Sequence, residues 1–352
     1  MNLVEFYKNK KVFVTGHTGF KGSWLCFFLN NLGAETCGYS LEPDNSYQSL
    51  YNLLNANENY SFNSRDIRDF ENLNISINEF SPDIVFHLAA QPLVIKSYEN
   101  PIETFSTNIM GTSNLLEICK SSKSIKAIIN VTSDKCYENK NTNKLYTEND
   151  RLGGSDPYSA SKACAEIINF SYQKSFYNGS KIGLASARAG NVLGGGDFSD
   201  NRLIPDIIRS LSSKNKLIIR SPKSTRPWQH VFDVIYGYII LGKKLYENPL
   251  KFSSSYNFSP NVENCITVEE ILSKINKLLK IDYSIKPGKF YEANLLMLDS
   301  KKAKKELNWY PIYDIDNTLK KSVEWYNDFM QNKNIVKKSL SQYKKYMELQ
   351  NE

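Results

Sequence analysis

Histidine and cysteine are scarce in this chain, and the few present are not grouped. The three histidines, at 17, 87 and 230 of 352 residues, stand in unrelated contexts. A metal centre needs several such ligands brought together, so no metal is expected, and His87, at the end of an apolar run, reads as a structural residue. The six cysteines, at 26, 37, 119, 136, 164 and 265, show no C-x-x-C and no paired spacing. They read as reduced thiols, several of them small core residues, of a cytoplasmic protein. No apolar run approaches the roughly eighteen residues that cross a bilayer, and no basic-then-apolar leader precedes the first apolar segment, so no membrane association is expected. Repeats and low-complexity linkers are missing as well. The net charge of +7 is spread over dispersed lysines, densest at 301–305 and 337–345, which read as solvated helix faces. No nucleic-acid partner is expected.

What the chain does contain is an alternation of short apolar runs with longer amphipathic stretches. Lys11–Thr15, Glu35–Tyr39, Ile84–Leu88, Ala127–Val131 and Ile182–Ala187 read as strands, and a helical pattern runs from Trp24 to Leu32. Such alternation predicts an α/β fold built on a doubly wound parallel sheet (Rossmann-type), with ligands at the carboxyl ends of the strands. The alternation breaks up after Asn191, at the loop opened by Gly194-Gly195-Gly196. The expected division is therefore residues 1–190 as a nucleotide-binding domain and 191–352 as mainly a smaller mixed α/β substrate-binding lobe, with segments near 229–262 returning to the main sheet.

Two motifs carry chemistry. Gly16-His17-Thr18-Gly19-Phe20-Lys21-Gly22 joins the first strand to the first helix. A strand, a glycine turn and a helix in that order let backbone N–H groups and the positive helix end approach a pyrophosphate. The second motif is Tyr158-x-x-x-Lys162, whose spacing puts both side chains on one face of a helix. An ammonium beside a phenol favours the phenolate, which suits Tyr158 to take a proton from an alcohol. Ser133-Asp134-Lys135 directly follows the Ala127–Val131 run, and Ala89-Ala90-Gln91 follows Ile84–Leu88, so both fall where a parallel sheet places its ligands.

Taken together these motifs resemble the extended short-chain dehydrogenase/reductase superfamily that acts on nucleotide sugars. The segments G-H-T-G-F-K-G-S-W, H-L-A-A-Q-P-L-V, V-T-S-D-K-C-Y-E-N, N-V-L-G-G-G-D, N-R-L-I-P-D and R-P-W-Q-H-V, between residues 16 and 231, are similar to the CDP-glucose 4,6-dehydratases within it. The resemblance implies NAD as cofactor, CDP-glucose as substrate and a homodimer or homotetramer. It implies NAD contacts from Gly16, Thr18, Gly19, Phe20, Gly22, Asp66, Ile67, Ala89, Ala90, Gln91, Asn108, Tyr158 and Lys162. Substrate contacts are implied for Ser133, Asn191, Asn201, Arg202, Leu203, Arg220, Arg226 and His230.

In the implied reaction Tyr158, held by Lys162 and helped by Ser133, oxidises the sugar at C4. A base then removes the C5 proton while a protonated Asp134 donates to the departing 6-hydroxyl, and Lys135 is the candidate for that base or for a proton relay. For that role Asp134 must hold its proton about three units above the ordinary carboxyl value. Glu42, past the end of the second strand, is a candidate for the cofactor ribose. The chain departs from the resemblance at Phe232-Asp233-Val234, where relatives carry an acidic-Pro pair, which leaves the base and sugar specificity open. Two other readings stand beside this one: an epimerase or 4-reductase, which leaves Asp134 idle, and a non-catalytic dinucleotide sensor, which has no use for a phenolate.

Overall fold

The computed structural model describes residues 2–43, 48–54, 60–213, 216–286 and 295–351, and of residues 60–62 the backbone alone. In the first half, β1 (Lys11–Thr15) is followed by α1 (Phe20–Asn31), β2 (Glu35–Ser40), β3 (Tyr60–Ser64), β4 (Ile84–His87), α2 (Gly111–Lys120), β5 (Ala127–Val131), α3 (Pro157–Tyr172) and β6 (Gly183–Ala189). Further along come α4 (Leu203–Ser213), α5 (Val231–Glu247), β7 (Ser255–Phe258), α6 (Ile315–Met330) and α7 (Ile335–Leu349). The seven strands form one sheet in the order β7-β6-β5-β4-β1-β2-β3, every pair parallel.

A parallel sheet buries both faces, and that is why these strands are written as continuous apolar runs. Along β1, Val12 and Val14 join the core on one face and Phe13 the core on the other; Ile84 and Phe86 oppose Val85 in β4 in the same way. β1 and β5 have the bounds the apolar runs predict. β6 runs two residues past Ala187 because Arg188 and Ala189 find partners in Asn257 and Phe258 of β7. β3 is an edge strand that the apolar-run criterion passes over, since Tyr-Ser-Phe-Asn-Ser holds only two large side chains.

The Gly194–Gly196 loop is tightly packed. A Cβ on Gly195 would stand 2.1 Å from the Trp325 ring, and one on Gly194 2.5 Å from Val231. The Trp24 indole donates to the Gly195 carbonyl at 3.0 Å. α1 and α6 thus close on this loop from two sides, and only glycine lets them approach so far.

Asp233 sits in the first turn of α5 and is fully buried. Its Oδ1 accepts from the Ile312 N–H at 3.0 Å and the Tyr346 hydroxyl at 2.9 Å, and its Oδ2 from the Tyr313 N–H at 3.3 Å. It ties α5 to the strap before α6 and to α7. The residue that departs from the family pattern is therefore a structural tie, and it is not among the cavity-lining residues.

Burial pushes the Asp233 carboxyl up from 3.8 to about 7. Between pH 4 and 7 the unfolded chain has lost this proton while the fold keeps it. The contribution is therefore fully present below about pH 4 and is lost as the pH rises towards 7. Asp233→Asn mimics the protonated form, so urea-denaturation midpoints should fall less between pH 4 and 7 in the variant than in the wild type. Asp233→Ala, which leaves three donors without an acceptor, should cost on the order of 3 kcal/mol.

Candidate active site

Two adjoining cavities open at the carboxyl ends of the strands. One, of about 380 Å³, is lined by the glycine turn, Tyr39–Glu42, Arg65–Arg68, Leu88–Leu93, Tyr158 and Lys162. The other, of about 310 Å³, is lined by Ser133, Asp134, Lys135, Tyr158, Gly190, Asn191 and side chains from the second half of the chain. They share Phe20, Lys21, Pro92, Leu93, Thr132, Tyr158 and Arg202 as walls. The first lies where the sheet order reverses between β1 and β4, the expected crevice of such a sheet.

The glycine turn fits the pyrophosphate of a dinucleotide. Gly16 has φ +70°, and a Cβ there would come within 2.6 Å of the Ala89 nitrogen. A Cβ on Gly22 would meet the Gly16 carbonyl oxygen at 2.1 Å. Gly19, which caps α1, has no side chain to occupy the first N–H groups, so the positive helix end stays open to an anion. Thr18, Gly19, Phe20, Asp66, Ile67, Ala89, Ala90 and Gln91 all line this cavity, as does Glu42. Asp66 is held by a bidentate contact to Arg68, and its carbonyl accepts from the Tyr39 hydroxyl at 3.1 Å. Among the described residues, no group of three His, Cys, Asp or Glu could hold a metal ion.

Tyr158 and Lys162 enter the site on α3, started by Asp156, which accepts from the Ser159 N–H, and by Pro157 at the first helical position. Both side chains are buried. Lys162 Nζ donates to the Val131 carbonyl at 3.3 Å, and burial pulls its amine down to about 8. Burial also pushes the Tyr158 phenol up, to about 12, although its hydrogen bond with Ser133 acts the other way. This is opposite to the shift that the Tyr–Lys spacing alone predicts, because desolvation is the largest influence on the phenol. Asn108 lies behind the wall and lines neither cavity. Its side chain bonds the Gln91 backbone at 2.8 and 3.1 Å and donates to Ser161 Oγ at 2.8 Å, which in turn donates to the Tyr158 carbonyl. It clamps the Ala89–Gln91 loop to α3.

Ser133 caps a single helical turn, Asp134–Cys136, at the end of β5. Its hydroxyl donates to Asp134 Oδ1 at 3.0 Å, while Oδ2 is buried with no hydrogen-bond partner among the described residues. Burial raises the Asp134 carboxyl above its ordinary value against the pull of Lys135, Ser133 and Arg226. The direction is that required of a general acid. Gly190 makes room for it: a Cβ there would press 3.1 Å from Asp134 Oδ2 and 2.6 Å from Pro227. Lys135 lines the same cavity.

The remaining lining comes from distant segments. Asn191 follows β6, and Arg202 and Leu203 open α4. Arg202 pairs with Asp197 at 3.0 Å. Arg220 bonds Asn201 at 2.8 Å, so the two line the cavity as a unit. Arg226 is carried by Thr225–Pro227, which pairs antiparallel with Cys265–Thr267. His230 is not brought to the cavity. Its Nδ1 accepts from the Phe232 N–H at 3.1 Å as the cap of α5, its ring packs edge-on against Phe232 and Tyr313, and burial lowers it to about 3. His87 bridges Thr15 at 2.7 Å and Thr112 at 3.2 Å inside the fold.

Sequence reasoning missed Lys21. It lines both cavities, and burial with Lys162 and Arg202 nearby pulls its amine down to about 7. Its signal was the one lysine inside the glycine turn, at the start of the helix.

A sequence profile described as GDP-mannose 4,6-dehydratase matches residues 13–322. A CDP-glucose 4,6-dehydratase of Salmonella typhimurium is 46% identical over 96% of this chain and 97% of its own. Among solved structures, the epimerase Mth375 of Methanothermobacter thermautotrophicus superposes with TM-score 0.82 at 23% identity, covering 96% of this chain and 97% of that one. DesIV, a dTDP-glucose 4,6-dehydratase of Streptomyces venezuelae solved with NAD bound, superposes with TM-score 0.80 at 20% identity, covering 93% and 99%. The extent of the profile match and the near full-length identity show that the chain belongs to the GDP-mannose 4,6-dehydratase family of nucleotide-sugar enzymes.

Proposed function

We propose that this chain removes water from CDP-glucose to give CDP-4-keto-6-deoxyglucose, with NAD in the glycine-turn cavity. The observation that carries this reading is Asp134, a buried carboxyl with a raised pKa and one unpaired oxygen, set beside Ser133 and Lys135 in the cavity that Tyr158 joins to the first. Epimerisation has no need of such an acid. The 46% identity to a CDP-glucose dehydratase supports the choice of nucleotide, and the NAD bound in DesIV supports the choice of cofactor.

NAD bound against the glycine turn would supply a hydride acceptor for C4 and a hydride donor for C6, so the overall reaction would be loss of water with no outside reductant. Tyr158 takes the 4-hydroxyl proton while Ser133 hydrogen-bonds the same oxygen. The Lys162 ammonium, a turn along α3, offsets the charge that forms on the phenol. The 4-ketone acidifies C5–H, which Lys135 removes as Asp134 gives its proton to the leaving 6-hydroxyl. Arg226, Arg202 and Arg220 present planar forks suited to the diphosphate.

We further propose that the protein works in the cytoplasm as a homodimer or homotetramer. No described helix is long and apolar enough to cross a membrane. Ile102, Met110, Ile167 and Phe170 are exposed on the adjoining helical segments 101–120 and 157–172, which supports a second copy as their cover.

Turnover in D₂O should place one deuterium at C5 of the product. Tyr158→Phe should abolish the first hydride transfer, seen as loss of the reduced-nicotinamide absorbance. Asp134→Asn and Lys135→Ala should keep that transfer while slowing water loss about 10²–10⁴-fold. Product without C5 deuterium would point to the epimerase reading, and a Lys135→Ala variant with wild-type turnover would move the C5 base to Lys21.

In competition among CDP-, dTDP-, UDP- and GDP-glucose, the CDP sugar should be preferred. Arg226→Ala should raise KM for it by about tenfold or more, as expected for a lost charged hydrogen bond, with NAD affinity nearly unchanged. Equal efficiency with dTDP-glucose would overturn the assignment of the base.

A further inference from the structure

Behind the catalytic segment the fold buries an ion pair that reaches neither cavity. Glu166 stands four residues beyond Lys162 on α3, so Tyr158, Lys162 and Glu166 share one helix face. Its side chain is 1% exposed and that of Arg188, on β6, 4%. Arg188 donates to Glu166 Oε2 at 2.6 Å, and Ser186 Oγ donates to the same oxygen at 2.8 Å. The hydroxyl of Thr132 donates to Oε1. Arg188 also donates to the Tyr137 hydroxyl at 2.7 Å and lies over that ring. The pair therefore grips Thr132 and Tyr137, the residues on either side of Ser133–Cys136.

Replacing a buried ion pair by apolar residues of similar volume is often neutral or stabilising, so stability alone does not account for this one. A role in the chemistry explains what stability does not. We propose that Glu166 is a positioning residue for the reaction: anchored by Arg188, it sets the Thr132 end of the catalytic segment, and its charge keeps Lys162 an ammonium so that Tyr158 can give up its proton. This rests on the reading of Tyr158 and Lys162 given above.

At Lys162 the electrostatic surroundings agree. Burial lowers Lys162 and Glu166 opposes it, with the Cys136 thiol acting in the same sense as Glu166. Lys162 also lies near Lys21 and His87, the latter held neutral by burial. Tyr158 is faced by Ser133, Asp134, Arg202 and Asp156. Glu166 itself stays below the ordinary carboxylate range because Arg188, Thr132 and Ser186 offset its burial. Without the Glu166 charge the Lys162 amine loses its proton at a lower pH. Tyr158 then lacks its ammonium and needs a higher pH to act as a base.

The test is the pH profile of the first hydride transfer in single turnover, with whichever of the four NDP-glucoses the wild type oxidises. Glu166→Gln removes the charge but strands Arg188. The double variant Glu166→Gln/Arg188→Met removes both charges and leaves neither unpaired. In both, the acid limb of the profile should move up by roughly one pH unit, with about a tenfold loss of rate at neutral pH and little change in KM. Glu166→Asp, which keeps the charge, should restore the wild-type profile. A folded double variant whose profile overlays the wild type makes the pair purely structural and overturns the inference alone. A wild-type protein that oxidises none of the four sugars overturns the reading of the site and this inference with it.

Discussion

The constraint on which this architecture turns is that charged groups taken out of water must find compensation within a few ångströms. At the carboxyl ends of β5 and β6 the fold buries Asp134, Lys162, Glu166 and Arg188, with Lys21 walling the same region. Glu166 and Arg188 pair with each other, Thr132 and Ser186 add hydrogen bonds to the carboxylate, and each stays charged. Asp134, Lys162 and Lys21 are compensated only in part, and burial moves each of them towards its neutral form. Groups held near the point of proton exchange are those that acid–base chemistry can use.

Sheet topology supplies the place. Because β4 returns to the other side of β1, two loops part at the switch point, and the glycine turn backs onto Ala89. The same closeness that forbids a Cβ at Gly16 and Gly22 opens the α1 terminus to a pyrophosphate. Across from it, the second cavity is assembled from segments spread between Phe20 and Val268, several of them brought together by short two- and three-residue pairings such as Gln229–His230 with Val192–Leu193. Those pairings carry Arg226 towards Asp134, and α5, α6 and α7 brace them through Asp233 and the aromatic packing of Trp24, Phe28, Phe232 and Tyr346.

His230 and Asp233 show how a motif can be legible while the roles of its members are not. R-P-W-Q-H-V is one of the segments on which the resemblance to nucleotide-sugar dehydratases rests. Yet within it Arg226 faces the cavity, while His230 caps a helix four residues later. The departure at Asp233 falls on the structural side of the same segment. Neighbours in sequence serve different ends because the chain turns from a strand bridge into α5 between them.

The sequence by itself determined the parallel sheet, whose apolar runs announce strands buried on both faces, and the Tyr158–Lys162 pair, whose spacing is a property of any α-helix. It also determined the glycine turn, since a strand, glycines and a helix in that order have one common use. Only the tertiary structure decided which direction each pKa moves, because desolvation depends on what covers a group. Burial raises Tyr158 where its spacing to Lys162 alone would lower it. Tertiary structure alone also decided that Lys21 meets the catalytic residues and that Glu166 reaches Thr132, for these contacts join segments more than thirty residues apart in the chain, and no local pattern records a partner at that range.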